Sequence, residues 1–164
     1  MSFAESYLGR LRARVGSGLL LMPGAMVVLE RPDGQVLVTK RTDDGRWCLP
    51  AGAAEAGGSF AETAVVEARE EVGVEIARDD LRAFGTLSSA DKHTIEYPNG
   101  DLTHCFAVLF LVQRWSGTPR ADGKEVEEIR FVDPKAFPAP MMMPAATALE
   151  LFLQYRSYGR FQLA

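Results

Sequence analysis

Between Ser59 and Val74 the apolar and acidic residues recur at intervals that only a helix satisfies. At about 100° per residue, Ala61, Ala64, Val65, Ala68 and Val72 share one arc, and Glu67, Glu70 and Glu71 fill the adjoining arc. No Gly or Pro interrupts Ala61–Val72, Ser59 and Glu62 form a capping-box pair, and Gly73 stands where a left-handed C-terminal cap falls. Further helices are expected over Phe3–Val15, carrying Leu8 and Leu11 and stopped by Gly16-Ser-Gly18, and over Ala145–Tyr158, with Leu149, Phe152 and Leu153 on one face. Ala25–Glu30 and Gln35–Arg41 read as strands of a hairpin joined through Arg31-Pro-Asp-Gly34. Leu81–Ser88 and His104–Trp115 read as two more strands, the second apolar enough along its whole length to be central. Thr42–Gly45 is a loop and Tyr97-Pro-Asn-Gly100 a turn. Helices and strands interleave without repeats, low-complexity stretches or a linker, so residues 1–164 are expected to form one α/β domain.

Composition narrows the function classes. Apolar content is 47%, charged content 24% and net charge −4, ordinary for a globular enzyme and unlike a surface built to coat a nucleic-acid polymer. Leu19–Met22 is far too short to span a bilayer, so no membrane partner is expected. Cys48 and Cys105 have no metal-ligand spacing and read as buried free thiols, pointing to a reducing, cytoplasmic location. His93 and His104 read as core or surface histidines, and Met141-Met-Met143 as packing for the last helix.

Three carboxylates within one helical turn repel one another by a few tenths of a kcal/mol per pair. A solvated acidic face is the ordinary explanation of such a run. Here the preceding Trp47-Cys-Leu-Pro-Ala-Gly52 leads into a small-residue turn whose backbone can approach a ligand closely, which favours a site. Converging hard oxygens suit Mg²⁺ or Mn²⁺, which share phosphate oxygens with a substrate.

Residues 52–74 resemble the Nudix box, G-x5-E-x7-R-E-U-x-E-E-x-G-U with U aliphatic. Gly52, Glu67, Glu70, Glu71, Gly73 and Val74 match with the spacing intact. Gly58 replaces the first glutamate, Val66 the arginine, and Ala68 the internal aliphatic residue. Gln35–Arg41 with Trp47-Cys-Leu-Pro50, and Glu128–Asp133 with Phe137-Pro138, resemble family strands on either side, so the similarity covers roughly residues 22–138.

The resemblance implies an α/β/α sandwich with a mixed sheet between helices, and hydrolysis of a nucleoside diphosphate linked to another group with Mg²⁺ or Mn²⁺. By the same resemblance Glu67 and Glu71 hold the metal, Glu70 is a further ligand or the water-activating base, and the carbonyl of Ala51 or Gly52 completes the shell. A further glutamate is expected from the loop at Asp122-Gly-Lys-Glu125, either Glu125 or Glu127, with Glu128 left to the strand. Arg41, Trp47 and Gly52 are the expected substrate contacts, with Lys40, Arg46 and Tyr97 nearby. ADP-ribose, dinucleoside polyphosphates and nucleoside triphosphates all stay open, as does homodimerisation. Two other readings stand beside hydrolysis. Loss of the box arginine and first glutamate suits a nucleotide sensor, and Cys48 in the lead-in suits an isoprenoid-diphosphate isomerase. The family arginine braces the glutamates by charge-assisted bonds; Arg69, about 100° from Glu70 on the helix, is a poor substitute, and Arg41 or Lys40 an alternative.

Overall fold

Two apolar cores lie on opposite sides of a mixed sheet; the computed structural model describes residues 3–164. A 3₁₀ turn at Phe3–Glu5 leads into α1 (Tyr7–Val15), followed by β1 (Leu20–Leu29), β2 (Val36–Arg41), β3 (Trp47–Cys48), β4 (Ala51–Ala53) and α2 (Phe60–Val72). After a 3₁₀ turn at Arg78–Asp80 come β5 (Arg82–Leu87), α3 (Ala90–His93), β6 (Thr94–Glu96), β7 (Leu102–Val112), β8 (Val126–Val132), α4 (Met143–Tyr158) and β9 (Gln162–Leu163). The larger sheet runs β4-β1-β7-β5-β9, with β6 also on β7; β3-β2-β8 form a second sheet. β1 is parallel to β7 and β9 parallel to β5, while the remaining pairs are antiparallel.

Alternation along β1 explains the layers. Ala25, Val27 and Leu29 join Ala64, Ala68 and Val72 of α2, whereas Met26 and Val28 join Ala148, Leu149 and Phe152 of α4. β2 divides its residues in the same way, with Leu37 in the α2 core and Val36 and Val38 in the α4 core. Strands covered on both faces carry continuous apolar runs rather than an alternating pattern, as β1 and β7 do. The arrangement is the expected α/β/α sandwich, with β7 central in its sheet.

Several local expectations are corrected. The turn at Arg31–Gly34 forms, with Gly34 at φ +82° and its N–H donating to the Arg31 carbonyl at 2.9 Å. The flanking strands share only the Glu30–Val36 bridge and then diverge, so they make no hairpin. The reason is occupancy of edges: β4 and β7 flank β1, while β3 and β8 flank β2. β1 also begins at Leu20, because Leu20–Gly24 pair with Thr103–Ala107. The first helix starts at Tyr7, since Ser6 is extended and its Oγ accepts the Gly9 N–H at 3.0 Å. α4 starts at Met143, with Pro144 in its first turn. The short α3, β6 and β9 were not expected. Among the described residues no helix is long and apolar enough to cross a membrane.

α4 is fastened to the sheet by an edge-to-face pair of fully buried rings, Phe84 and Phe152, with centroids 5.9 Å apart. Phe152→Ala is expected to destabilise the fold by about 3–5 kcal/mol, measured as a lower denaturation midpoint in urea with an unchanged slope.

Candidate active site

α2 carries the acidic cluster because both of its ends are fixed. Ser59 and Glu62 complete the capping box, with Ser59 N–H donating to Glu62 Oε2 at 2.7 Å, and Gly73 closes the helix at φ +69°. Ala64, Ala68 and Val72 are fully buried beneath the helix. That anchoring turns Glu71 inward, where it is 8% exposed and accepts the Ala51 N–H at 3.2 Å. Glu67 lies half-buried with its carboxylate against Gly52, where a Cβ would collide with it. Gly52 therefore leaves room for the Glu67 carboxylate, which a Cβ there would displace. Glu70 is exposed on the same face.

The loop before β8 brings in a fourth carboxylate. Asp122 Oδ1 accepts the amides of Lys124, Glu125 and Val126 at 3.1, 3.1 and 2.8 Å, and Thr42 N–H donates to the Glu125 carbonyl at 3.0 Å. Glu125 is thereby held at a cleft of about 610 Å³ that Glu67, Glu70, Arg41 and Tyr97 also line. That size suits a nucleotide-scale ligand. A fifth carboxylate, Glu55 in the loop before α2, escaped the sequence reading. It lines the cleft, and both of its oxygens accept the Tyr7 N–H at the start of α1, at 2.8 and 2.9 Å. Its position three residues before Gly58, within an otherwise small-residue loop, is the signal that could have found it. α1 forms a wall of the cleft and is fixed at its other end by the buried Arg12, which donates to the Gly16, Gly18 and Leu102 carbonyls and to Thr103 Oγ1.

Other expected contacts lie elsewhere. Trp47 is 4% exposed in the α4 core, with the Arg130 guanidinium 4.7 Å from its ring centroid, so it lines neither the cleft nor any stacking surface. Glu127 pairs with Lys40 at 2.5 Å, and Glu128 with Arg130 at 2.6 Å, which separates both from the α2 cluster. Arg46 is held by Asp44 at 2.6 Å. Arg41 does reach the cleft, bound in a fork to Asp43 at 2.8 and 2.6 Å. Cys48 is buried, which pushes its thiol up to about 12 and removes it as a catalytic thiol, so the isomerase reading is set aside.

Among the described residues no ion pair reaches Glu67, Glu70 or Glu71. Burial first, then the charges of Glu125, Glu70 and Glu55, push the Glu67 carboxyl from 4.5 up to about 7. Glu71 is raised well above 4.5, chiefly by burial and next by Glu67, against the lowering effect of the Ala51 N–H. Hard oxygen donors, desolvated and not ion-paired, with Arg41 acting on Glu71 only through its field, are the donor set a divalent metal satisfies. The fit rests on that chemistry, for among the described residues no three Asp, Glu, His or Cys side chains are grouped closely enough to hold a metal ion.

A raised carboxyl pKa means that the folded chain holds protons which the unfolded chain releases, so the associated stability is present below 4.5 and lost as pH rises through about 7. In chelator, Tm is expected to fall across that window, Glu67→Gln to flatten the fall, and Mg²⁺ to restore Tm at the neutral end. Thermal denaturation across pH, with and without Mg²⁺, checks all three.

Comparison with known proteins agrees with this geometry. The family model described as "NUDIX domain" matches residues 20–152. A Bacillus subtilis (strain 168) protein provisionally named an 8-oxo-dGTP diphosphatase is 32% identical over 120 residues, covering 73% of this chain and 71% of its own. The crystal structure of a MutT NUDIX hydrolase from Burkholderia pseudomallei superposes with a TM-score of 0.67 at 24% identity, over 80% of this chain and 98% of that one. An ADP-ribose pyrophosphatase from Streptococcus suis superposes with a TM-score of 0.60 at 20% identity, over 87% and 98%. With the box carboxylates gathered on α2 and the family model covering most of the chain, the protein belongs to the Nudix hydrolase family.

Proposed function

We propose that this Nudix hydrolase is a divalent-metal-dependent pyrophosphohydrolase acting on a nucleoside diphosphate linked to a further group. The observation that carries the reading is the pair of desolvated carboxylates, half-buried Glu67 and buried Glu71, neither held in an ion pair, at a site whose main cleft is of nucleotide size. The relatives' names support the substrate class, since 8-oxo-dGTP and ADP-ribose both contain a nucleoside diphosphate.

Glu67 and Glu71 hold the cation, with Glu70 and the Ala51 carbonyl as further donors. When bound, Mg²⁺ or Mn²⁺ supplies the positive charge that polarises phosphoryl oxygens and lowers the pKa of a coordinated water. Glu125, exposed at the cleft and in the electrostatic field of Glu67 and Glu71, is the group placed to accept a proton from the attacking water. Glu70, also exposed, is the other candidate for that proton. Arg41 meets the phosphates by exchanging one arm of its fork to Asp43 for a phosphate oxygen, a bidentate geometry that suits both acceptors. Gly52 lets the loop backbone close on Glu67.

Gly58 and Val66 both line the cleft, so the two departures from the box leave open space where a bracing charge would stand. Lys40 and Arg41, the alternative braces, are engaged by Glu127 and Asp43. The reading is a working but loosely braced enzyme with slow turnover. The same departures favour one second reading, a nucleotide sensor that binds without hydrolysing.

Glu71→Gln keeps shape and removes charge, and is expected to lower turnover by more than about 100-fold, the upper end of the cost of losing a supporting residue at a metal site, with the fold intact. Phosphate release from a panel of nucleoside diphosphate derivatives with Mg²⁺ or Mn²⁺ measures it; wild-type turnover by folded Glu71→Gln at saturating Mg²⁺ contradicts the assignment. Val66→Arg is expected to raise kcat/KM or to lower the Mg²⁺ concentration needed for half-maximal rate. Nucleotide binding with no turnover by either protein across the panel would move the chain to the sensor reading.

A further inference from the structure

Behind the carboxylates the cleft continues into an annexe of about 90 Å³. Arg41, Ala53, Tyr97, Thr103 and Glu125 line both spaces, and Glu71 stands on the annexe wall, so the annexe is the inner end of one continuous site. Its walls are mainly apolar, with Met22, Leu49, Ile95 and Met142 among them. At about 30 Å³ of liquid volume per water, the space is large enough for the edge of a ring and too small for a nucleoside.

One wall residue breaks the apolar pattern. His93 ends α3, is 4% exposed, and has Nδ1 3.1 Å from the Leu87 carbonyl. A carbonyl only accepts, so Nδ1 carries the hydrogen. Burial, reinforced by the nearby His104, lowers the pKa of the ring and keeps it neutral. A neutral ring with its hydrogen on Nδ1 has a lone pair on Nε2. No hydrogen bond from a described residue reaches Nε2, yet no buried side-chain nitrogen or oxygen among those residues is sealed without a partner. Nε2 is therefore not sealed off, and the ring that carries it lines the annexe.

We propose that His93 Nε2 is a specificity acceptor that reads an N–H donor on the edge of a planar heterocycle, the nucleobase of the substrate. This rests on the nucleotide reading given above. The base enters from the cleft past Tyr97, which is half-buried at the shared wall and offers a ring face for stacking. Its edge reaches past Glu71 into the annexe while the diphosphate stays in the cleft beside Glu67, Glu70 and Glu125. A base that presents only acceptors sets lone pair against lone pair in a largely apolar space, and such mismatches discriminate more strongly than a missing methylene.

The test uses nucleotide pairs that differ by one amino group and add no bulk: dGTP against dITP, dATP against purine deoxyriboside triphosphate, and dCTP against its 2-pyrimidinone analogue. For the preferred base, removal of the donor is expected to lower wild-type kcat/KM by at least about tenfold, mainly through KM, equivalent to losing about 1.4 kcal/mol. In His93→Phe that discrimination is expected to vanish. Imidazole ¹⁵N NMR supplies a second readout that needs no variant. Nε2 is expected to be unprotonated in the free protein and to shift on saturation with the preferred nucleotide while remaining unprotonated. No discrimination within any pair, discrimination that persists in folded His93→Phe, or an unmoved Nε2 signal at saturation overturns the proposal and leaves the hydrolase reading intact. Failure of every nucleotide to bind or turn over would overturn both.

Discussion

Glu71 is buried and Glu67 half-buried, neither carboxylate is held in an ion pair, and much of the site is arranged around that fact. Desolvation and the mutual repulsion of Glu67, Glu70, Glu71 and Glu125 make this arrangement unfavourable. A fold tolerates the arrangement when protons or a cation resolve it, and the raised carboxyls record the first solution. The second is what the family fold is built for. The capped ends of α2 and the three small or aliphatic residues buried beneath it hold the carboxylates in place against their repulsion. Gly52 leaves room for the Glu67 carboxylate, the Ala51 N–H orients Glu71, and Asp122 presents Glu125 from the far side of the cleft.

The departures from the box gain a physical meaning in this setting. Gly58 and Val66 remove an acid and a base together, so the cleft wall changes shape without a change in formal charge. On the opposite side α1 closes the cleft, tied to the loop through Glu55 and to β7 through Arg12. The cleft is thus bounded by an N-terminal element outside the box, and the carboxylate tethering it is one of the charges that raise Glu67. Substrate enclosure and the electrostatics of the cluster share a residue.

Much of this was legible in the sequence where the signal is local. The capping box, the Gly73 cap and the 3.6-residue arc of alanines and valines define α2 with no tertiary information, and the spacing of Glu67, Glu70 and Glu71 follows from them. Glu125 could be proposed because its loop carries Asp122 and Gly123, residues that organise turns. What was not legible depends on partners distant in the chain. The turn at Arg31–Gly34 predicted a hairpin correctly as a turn and wrongly as a pairing, because the edges of both strands are taken by β7, β4, β3 and β8. Trp47 looked like a stacking surface until Arg130 and the α4 core covered it. His93 read as an ordinary histidine because α3 and β6 are too short to leave a periodic trace, and its exposure to the annexe exists only once β5, β6 and β7 assemble.

The central claim is that the buried carboxylates are a cation site held partly protonated when the cation is absent. Titration calorimetry of Mn²⁺ into the chelator-treated protein at pH close to 7, repeated in buffers of different ionisation enthalpy, counts the protons exchanged on binding. Ligands must be deprotonated to bind, so the account predicts net proton release per cation, diminishing as the starting pH is raised above the Glu67 value of about 7. Cation binding at the same pH with no dependence on buffer, or no saturable binding at all, would contradict it.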